Sequence, residues 1–447
     1  MSRPLRLASL ASLLALLGAC TTSSNDGTSA PSSSGTPGTP GGDAPIAQSS
    51  IGRQTSPLVA PADAKTLTSD NTAFAADLYR TLRTAPDFDK KSIFFSPHSI
   101  SIALAMTYAG ARGTTETEMA SALHFSLPQD RLHPAFDALD LALASRGTNA
   151  KSNAGVPFKL NVTSSLWGMP QMPFEQPFLD TLSQSYGAGI RLTNFSSDPE
   201  GSRKTINGWV SEETATRIPE LLPAQSVSAQ TRLVLVNAVY FNAAWAQPFE
   251  PSITKDGTFH GLNGDVPASF MAATNYLGHT RGEDFDAVAL PYDGKELELV
   301  AIVPDAGKLD AVEGRLDGAM LEQVAASLET KEVEVHLPKF SIKGSSFSLR
   351  STLRSLGMNS AFSQADADLT GILPKTVDSL YVGDVIHDSF VSVDEKGTEA
   401  AAATAVLLAG GGIPTNTVKL TLDRPFVFGI RDIATGAFVF LGRVAQP

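Results

Sequence analysis

The single cysteine of this 447-residue chain, Cys20, is the side chain best placed for covalent modification. It closes the run LGAC (17–20), behind an apolar stretch of 11 residues (7–17) and two arginines. Eleven residues are too few to span a bilayer and suit a secretory signal over residues 1–19. The small residues before the thiol are typical of a bacterial lipobox, which predicts lipidation of Cys20. The alternative is an ordinary cleaved signal with a chance cysteine.

Other patterns that would carry chemistry are missing from the sequence. It contains no Gly-x-Ser-x-Gly elbow, no His-Glu-x-x-His pair and no Gly-x-x-x-x-Gly-Lys loop. The seven histidines never stand at metal-ligand spacing, and Asp366 and Asp368 lack the glutamate that a calcium loop needs. One cysteine excludes a disulfide framework and multi-cysteine metal sites. We therefore expect neither an enzyme nor a metal or cofactor site.

Net charge narrows the choice of partners. The chain carries a net charge of −12 and lacks the basic footprint that a phosphate backbone requires, so nucleic acid is not an expected partner. Its residues are 42% hydrophobic and 18% charged, which is typical of a soluble globular protein with a large core.

The segment 393–412 (VDEKGTEAAAATAVLLAGGG) permits two interpretations. Its alanines favour a surface helix that stops at the three glycines. Alternatively it is an exposed loop that can become a strand, because its alternate residues are uncharged, small first and bulkier later. Since residues 393–413 include no proline, every residue could donate to a sheet ladder. A segment of this kind could enter the middle of an existing sheet.

The elements around this segment indicate an α+β fold. Residues 68–70 (TSD) precede apolar residues spaced by four, which predicts a helix capped there. Residues 99–110 are apolar on all sides and predict a buried helix ending at Gly110. Runs of β-type residues predict strands over 231–241, 296–303, 332–337, 417–422, 426–430 and 438–441.

Residues 20–62 are predicted to be a lipidated, disordered tether. Of residues 21–50, 22 are Ser, Thr, Gly or Pro and none is Lys or Arg, so they bury too little apolar surface to fold. The residue after Cys20 is not an aspartate, which favours the outer membrane over the inner one. We expect a lipid-anchored protein of the bacterial cell envelope, with one folded domain over residues 63–447 facing the periplasm or the exterior.

That domain resembles a serpin, the superfamily of large single-use protease inhibitors. The resemblance rests on motifs in the family's order: 92–106 (SIFFSPHSISIALAM), 110–115 (GARGTT), 206–210 (INGWV), 235–241 (LVNAVYF) with Trp245, 290–292 (LPY), 337–340 (LPKF), 356–358 (LGM), 395–404 (EKGTEAAAAT), 423–426 (DRPF) and 442–443 (GR). It implies a large, mostly antiparallel central sheet, further sheets, eight or nine helices and an exposed reactive loop over about 395–417. It also implies a monomer that traps serine proteases, and cysteine proteases as a second class.

The resemblance implies roles for particular residues. Residues 395–404 match the hinge that inserts after cleavage, with Gly397 free to turn and Thr398 the first side chain to enter the sheet. Trp245 matches the breach at the top of the sheet. The individual hinge residues that match are Glu395, Gly397, Thr398, Ala400, Ala402 and Thr404. Ser96, Asn237 and His387 match the shutter, a polar cluster beneath the point where the sheet must open. The pair Asp388-Ser389 departs from the family's usual Lys or Ala pair.

The bond to be cleaved is placed differently by two counts. Counting from Glu395 places it at Gly411–Gly412, and counting back from the DRPF motif places it at Pro414–Thr415. Proline makes Ile413–Pro414 a poor substrate bond. No Arg or Lys lies between residues 396 and 419, so elastase-like or subtilisin-like targets are favoured over trypsin-like ones. The alternative to an inhibitor is a serpin-fold protein that serves as a substrate, binding module or chaperone; a hydrolase lacks any motif.

Overall fold

The computed structural model describes residues 44–343, 346–377, 379–398 and 417–447. Within these ranges the helices are α1 Pro61–Leu82, α2 Pro97–Tyr108, α3 Gly113–Ala122, α4 Gln129–Ala144, α5 Gln176–Tyr186, α6 Pro199–Glu213, α7 Leu309–Gly314, α8 Gly318–Ala326 and α9 Arg350–Ser355. Short 3-10 turns occupy Asn153–Gly155, Pro251–Ile253 and Ser360–Phe362. Among the described residues, none of the helices combines the length and the apolar character needed to cross a bilayer.

The strands of the described ranges form two large sheets. They are β1 Ile46–Ala47, β2 Ile93–Phe95, β3 Lys159–Gly168, β4 Ile190–Leu192, β5 Leu233–Ala244, β6 Lys255–Gly261, β7 Gly264–Gly282, β8 Phe285–Pro291, β9 Leu297–Pro304, β10 Glu329–Pro338, β11 Phe340–Lys343, β12 Phe347–Ser348, β13 Val385–Val393, β14 Gly397–Thr398, β15 Val418–Thr421, β16 Phe426–Asp432 and β17 Phe438–Val444. The first sheet runs β1-β4-β3-β5-β14-β13-β11, with β12 on β13. The second runs β15-β10-β7-β8-β9-β16-β17-β2, with β6 on β7.

The α+β prediction is confirmed. All six strands expected from the sequence are present, as β5, β9, β10, β15, β16 and β17. The first sheet is mostly antiparallel, but β3 pairs with β4 and β5 pairs with β13 in parallel. Parallel neighbours need a long crossover between them, and the chain supplies it by building much of the second sheet between β5 and β13.

The buried helix α2 lies between the sheets and contacts both β5 and β17. Every residue of α2 is buried, as its all-round apolar sequence predicts. Ser96 caps it by accepting a hydrogen bond from the Ser99 amide at 3.2 Å. The helix ends at Tyr108, and Gly110 serves packing instead of a left-handed cap: a Cβ on Gly110 would lie 2.1 Å from Ile372.

The predicted cap of α1 at residues 68–70 is wrong. The helix begins seven residues earlier, with Pro61 in its first turn, where the missing amide costs nothing. Thr68 lies inside the helix, and its hydroxyl donates back to the Ala64 carbonyl at 3.1 Å. Asp70 accepts instead from the amide of Ser126, at 3.0 Å. Thr68 and Asp70 are residue types that often cap helices, but here one bonds within the helix and the other forms a tertiary contact.

Residues 44–60, which were expected to belong to a disordered tether, pack against the domain where the structure describes them. Strand β1 extends the edge of the first sheet by pairing with β4. Arg53 donates to Asp137 at 2.8 Å and forms an ion pair with Asp140 at 2.5 Å, both on α4. The Gln54 amide donates to the Gln184 carbonyl on α5. Sparse polar residues are ordered here by partners more than 80 positions away, which composition does not reveal.

Candidate functional site

The boundary between β5 and β13, here called the seam, changes character along its length. Residues 235–239 and 385–389 pair directly in parallel. Beyond them the two strands separate, and the two residues of β14 lie between them. The first sheet is therefore closed along one part of the seam and opened by one strand at its end.

Strand β14 is antiparallel to both neighbours. Thr398 pairs with Ala243 of β5 on one side and with Val393 of β13 on the other. Its side chain is 1% exposed, and its Oγ1 lies 2.7 Å from the hydroxyl of Tyr292. Thr398, which the family resemblance makes the first side chain to enter the sheet, already lies inside it.

Gly397 does not use a left-handed conformation, contrary to the turn expected from the sequence. It is absent from the described residues with positive φ. A Cβ at this position would lie 2.1 Å from the Ala243 carbonyl oxygen and 2.7 Å from the Ala244 Cα. Because backbone atoms cannot yield as a flexible side chain can, only glycine allows β14 this close approach to β5.

Trp245 closes the top of the seam. It is 1% exposed, and its indole Nε1 donates to the Asp394 carbonyl at 2.9 Å. Its amide donates to the Lys396 carbonyl at 2.8 Å. Its ring stacks on Tyr292, with centroids 4.7 Å apart and planes at 10°. The residues before β14 are thus held by backbone contacts to one rigid aromatic pair.

Glu395 is held by its side chain as well. Its Oε1 accepts from Lys339 Nζ at 2.6 Å and from the Thr254 hydroxyl at 2.9 Å. Burial alone would raise the pKa of Glu395, but the hydrogen bonds from Lys339 and Thr254 outweigh it and hold the pKa below its usual value. The first residue of the hinge is therefore an anchored carboxylate.

The three shutter residues Ser96, Asn237 and His387, here called the polar cluster, meet in the closed part of the seam. His387 Nε2 accepts from the Ser96 amide at 3.2 Å, and its Nδ1 faces Asn237 Oδ1 at 3.0 Å. The amide nitrogen of Asn237 donates to the Ser99 carbonyl at 2.7 Å and to Ser164 Oγ at 3.0 Å. The cluster therefore joins α2, β3, β5 and β13.

The protonation of His387 follows from these partners. Because Nε2 accepts from a backbone amide, the proton of the neutral ring is on Nδ1 and is donated to Asn237. His387 is fully buried, and this burial lowers its pKa to about 3. The ring is neutral at physiological pH, and a second proton would displace the Ser96 contact.

The unusual pair Asp388-Ser389 has a structural explanation in part. Ser389 is 1% exposed, and its hydroxyl donates to the Phe94 carbonyl of β2 at 2.8 Å, which ties β13 to the second sheet. Asp388 lies on the opposite face of β13, since side chains alternate along a strand. It is 7% exposed, and burial raises its pKa to about 6.

Part of the predicted site lies outside the described residues. This applies to the lipidation residue Cys20, to the hinge residues Ala400, Ala402 and Thr404, and to the cleavage region Gly411, Gly412, Ile413, Pro414 and Thr415. Tyr292 and Lys339 lie in motifs that carry the family resemblance, but no role was predicted for either residue. The sequence feature that could have pointed to them is their position in the short LPY and LPKF runs next to strands.

Known proteins are similar to this chain in sequence. A family model described as "Serpin (serine protease inhibitor)" matches residues 69–447. An uncharacterized serpin-like protein of Thermococcus kodakarensis is 37% identical over 377 residues, covering 84% of each chain. The leukocyte elastase inhibitor of Bos taurus is 36% identical over 392 residues, covering 85% of this chain and 99% of that protein. Human antithrombin-III is 33% identical, with coverage of 85% and 82%.

Solved structures agree with the sequence relatives. The thermophilic serpin tengpin in its native state superposes with a TM-score of 0.79 at 27% identity, covering 90% of this chain and all of that one. Human thyroxine-binding globulin in complex with thyroxine gives a TM-score of 0.75 at 28% identity, with coverage of 86% and 99%. The similarity extends over the entire length of these neighbours.

Proposed function

The chain belongs to the serpin family of protease inhibitors, and from this premise we propose that it is a single-use inhibitor of serine proteases. The family is described by protease inhibition and not by an enzymatic activity. The observation that carries the proposal is β14, which already occupies one end of the seam. A strand that continued from β14 would lie between β5 and β13.

The register of the seam supports this insertion. In the parallel pairing of β5 with β13, each residue of β13 has a number 150 higher than its partner on β5, beginning with Leu235 and Val385. Thr398 pairs with Ala243 and Val393, which differ by the same 150. An antiparallel extension of β14 therefore keeps one register with both neighbours, and neither neighbouring strand has to slide along its own axis.

Continuing this register along the seam gives the neighbours that we propose for two hinge residues in the inserted state. Ala402 comes beside Val239 and Ser389, and Thr404 comes between Asn237 and His387. Small residues thus enter first, and the hydroxyl of Thr404 meets the polar cluster whose direct contact the insertion breaks. The hinge was expected to present small, uncharged side chains inward, and the register of β14 supports that interpretation.

The chemistry is performed by the protease. Its serine Oγ attacks the carbonyl carbon of the scissile bond, the peptide C–N bond breaks, and the serine proton passes through the protease histidine to the leaving amine. An ester then links the protease to the amino-terminal side of the loop. Insertion of about a dozen residues, at about 1 kcal/mol net for each ladder hydrogen bond, supplies a free energy comparable to the stability of a typical domain. A protease deformed by it cannot complete deacylation.

The targets we propose are elastase-like or subtilisin-like serine proteases, with cysteine proteases as a second class. Leu407, Leu408, Ala409 and Ile413 offer apolar side chains near the cleavage region. The relatives named leukocyte elastase inhibitor agree with such a target. The protein would act as a monomer, anchored through a lipid on Cys20 in the bacterial envelope, with the outer membrane favoured.

The test is to incubate the purified protein with pancreatic elastase and with subtilisin. We expect a covalent complex that survives boiling in SDS. Mass spectrometry of the released fragment then shows which of the two candidate bonds, Gly411–Gly412 or Pro414–Thr415, is cleaved. Cleaved protein without any complex, across a wider protease panel, would favour the alternative of a substrate, binding or chaperone-like protein.

A further inference from the structure

Tyr292 contacts the inserted end of the hinge from within the core. Its hydroxyl and Thr398 Oγ1 are 2.7 Å apart, and the two residues are 0% and 1% exposed. A buried hydroxyl that loses its partner pays the full cost of its desolvation. The pair therefore favours one position of Thr398 strongly over any that separates the two oxygens.

The ring of Tyr292 is fixed on several sides. It stacks on Trp245 at 4.7 Å and meets Phe241 edge-on at 5.0 Å. Its amide donates to the Leu297 carbonyl at 2.9 Å. Trp245 in turn holds the backbone of Asp394 and Lys396. The hydroxyl is thus a preorganised acceptor or donor at a defined point beside the seam.

The hinge sequence offers that point a single matching group. Between residues 394 and 403 the only hydroxyl is that of Thr398 (DEKGTEAAAA). A slip by two residues would place Ala400 against the Tyr292 hydroxyl, and a slip by one would turn Thr398 to the other face of the sheet. The slip by two leaves the tyrosine hydroxyl buried without a partner, and the slip by one that brings Glu399 to this position buries a carboxylate charge.

We propose that Tyr292 is a positioning residue that recognises Thr398 and so fixes the register in which the loop inserts. The inference rests on the proposed function and deepens it. Inhibition is a race between insertion and hydrolysis, so a hinge already in register shortens the slow step. Without the contact, insertion has to find its register after cleavage, and more molecules are hydrolysed.

The experiment compares Tyr292→Phe, Thr398→Val and the double variant with wild type, using elastase or the protease that forms the complex. The first readout is the molar ratio of inhibitor to protease needed for complete inhibition. We expect each single variant to raise this ratio about fivefold or more, and the double variant to match the singles. Thr398→Ser, which keeps the hydroxyl, brings the ratio back toward the wild-type value. The 67% exposed Tyr276 supplies the control Tyr276→Phe.

A second readout separates this inference from the proposed function. Hydrogen exchange at residues 394–398 rises in Tyr292→Phe and in Thr398→Val, but not in Thr398→Ser, whether or not any protease is inhibited. If wild type forms no complex while exchange behaves this way, the inhibitory function fails and the contact stands. Unchanged exchange, or a Tyr292→Phe variant with a lowered melting temperature but an unchanged inhibitory ratio, would overturn the inference.

Discussion

His387 Nδ1 donates to Asn237 Oδ1 across 3.0 Å, and the two residues stand directly opposite each other on β13 and β5. These are the strands that the proposed inhibitor must separate. The contact is therefore both a support of the native seam and a bond that insertion has to break. Because His387 is neutral and buried, its contribution to stability depends on pH.

Acid should weaken the fold through His387. Its pKa is about 3 in the folded chain and about 6.5 in the unfolded chain. Between these values the unfolded chain binds more protons, so the free energy of unfolding falls as pH falls from 6.5 toward 3. Between pH 7.5 and 5 this group alone accounts for about 2 kcal/mol.

Urea unfolding of wild type and His387→Gln at both pH values measures this contribution. Asp388 acts in the opposite direction, because its pKa is raised to about 6 and its proton stabilises the fold below that pH. The difference between wild type and variant removes this background. The exposed His260→Gln is the control; an equal pH dependence in all three proteins would refute the assignment.

Thr398→Arg should turn the protein into a substrate. The side chain at this position lies between Ala243 and Val393, so an arginine there would bury an unpaired charge. We expect the arginine to keep residues 397 and 398 out of the sheet in a protein that still folds, and elastase to cleave this protein without forming the SDS-stable complex. Thr258→Arg, at an exposed position of β6, should still inhibit. An inhibitory Thr398→Arg protein would exclude insertion through this end of the seam.

Arg53→Met should destabilise the domain by about 1 to 3 kcal/mol, since it leaves the buried Asp137 carboxylate without its cation. Burial already raises the pKa of Asp137 against the opposing effect of Arg53. The matched control is Arg131→Met, because Arg131 is half exposed and lies 3.6 Å from Asp63. Equal melting temperatures for the two variants would mean that the ion pairs of Arg53 add nothing to stability.

Cys20→Ser should move the protein from the membrane fraction to the soluble fraction of a bacterial host. Without the thiol no lipid can be attached, so nothing in this account holds the exported chain at the membrane. Immunoblots of separated membranes provide the measurement, with Ser23→Ala as the control. Unchanged partitioning of Cys20→Ser would argue for an ordinary cleaved signal.

The fold could be predicted well where the determinants are local. The all-round apolar run of α2 and the β-type runs of β5, β9 and β10 are properties of neighbouring residues, and each element formed as expected. Motifs in the family's order then implied the serpin family. The family in turn implied that a loop inserts into the central sheet, which is the place of the seam. The start of α1 was missed because Asp70 has its partner 56 residues away, at Ser126.

The same limit applies to the site. The family motifs implied the polar cluster, and its members do meet. Tyr292 and Thr398 were both visible in the sequence, yet they are 106 positions apart and only the folded sheet brings their oxygens together. The packing of residues 44–60 depends in the same way on Asp137 and Asp140, which no local pattern connects to Arg53.

The most direct measurement compares the melting temperature of the intact protein with that of protein nicked in its loop. Nicking by a catalytic amount of the metalloprotease thermolysin, which forms no acyl-enzyme, frees the hinge to insert, and mass spectrometry verifies the site. If insertion releases on the order of 10 kcal/mol, the melting temperature of a domain this large rises by about 10 °C or more, and nicked Thr398→Arg shows no such rise. A wild-type melting temperature that stays constant or falls after the nick would contradict the account.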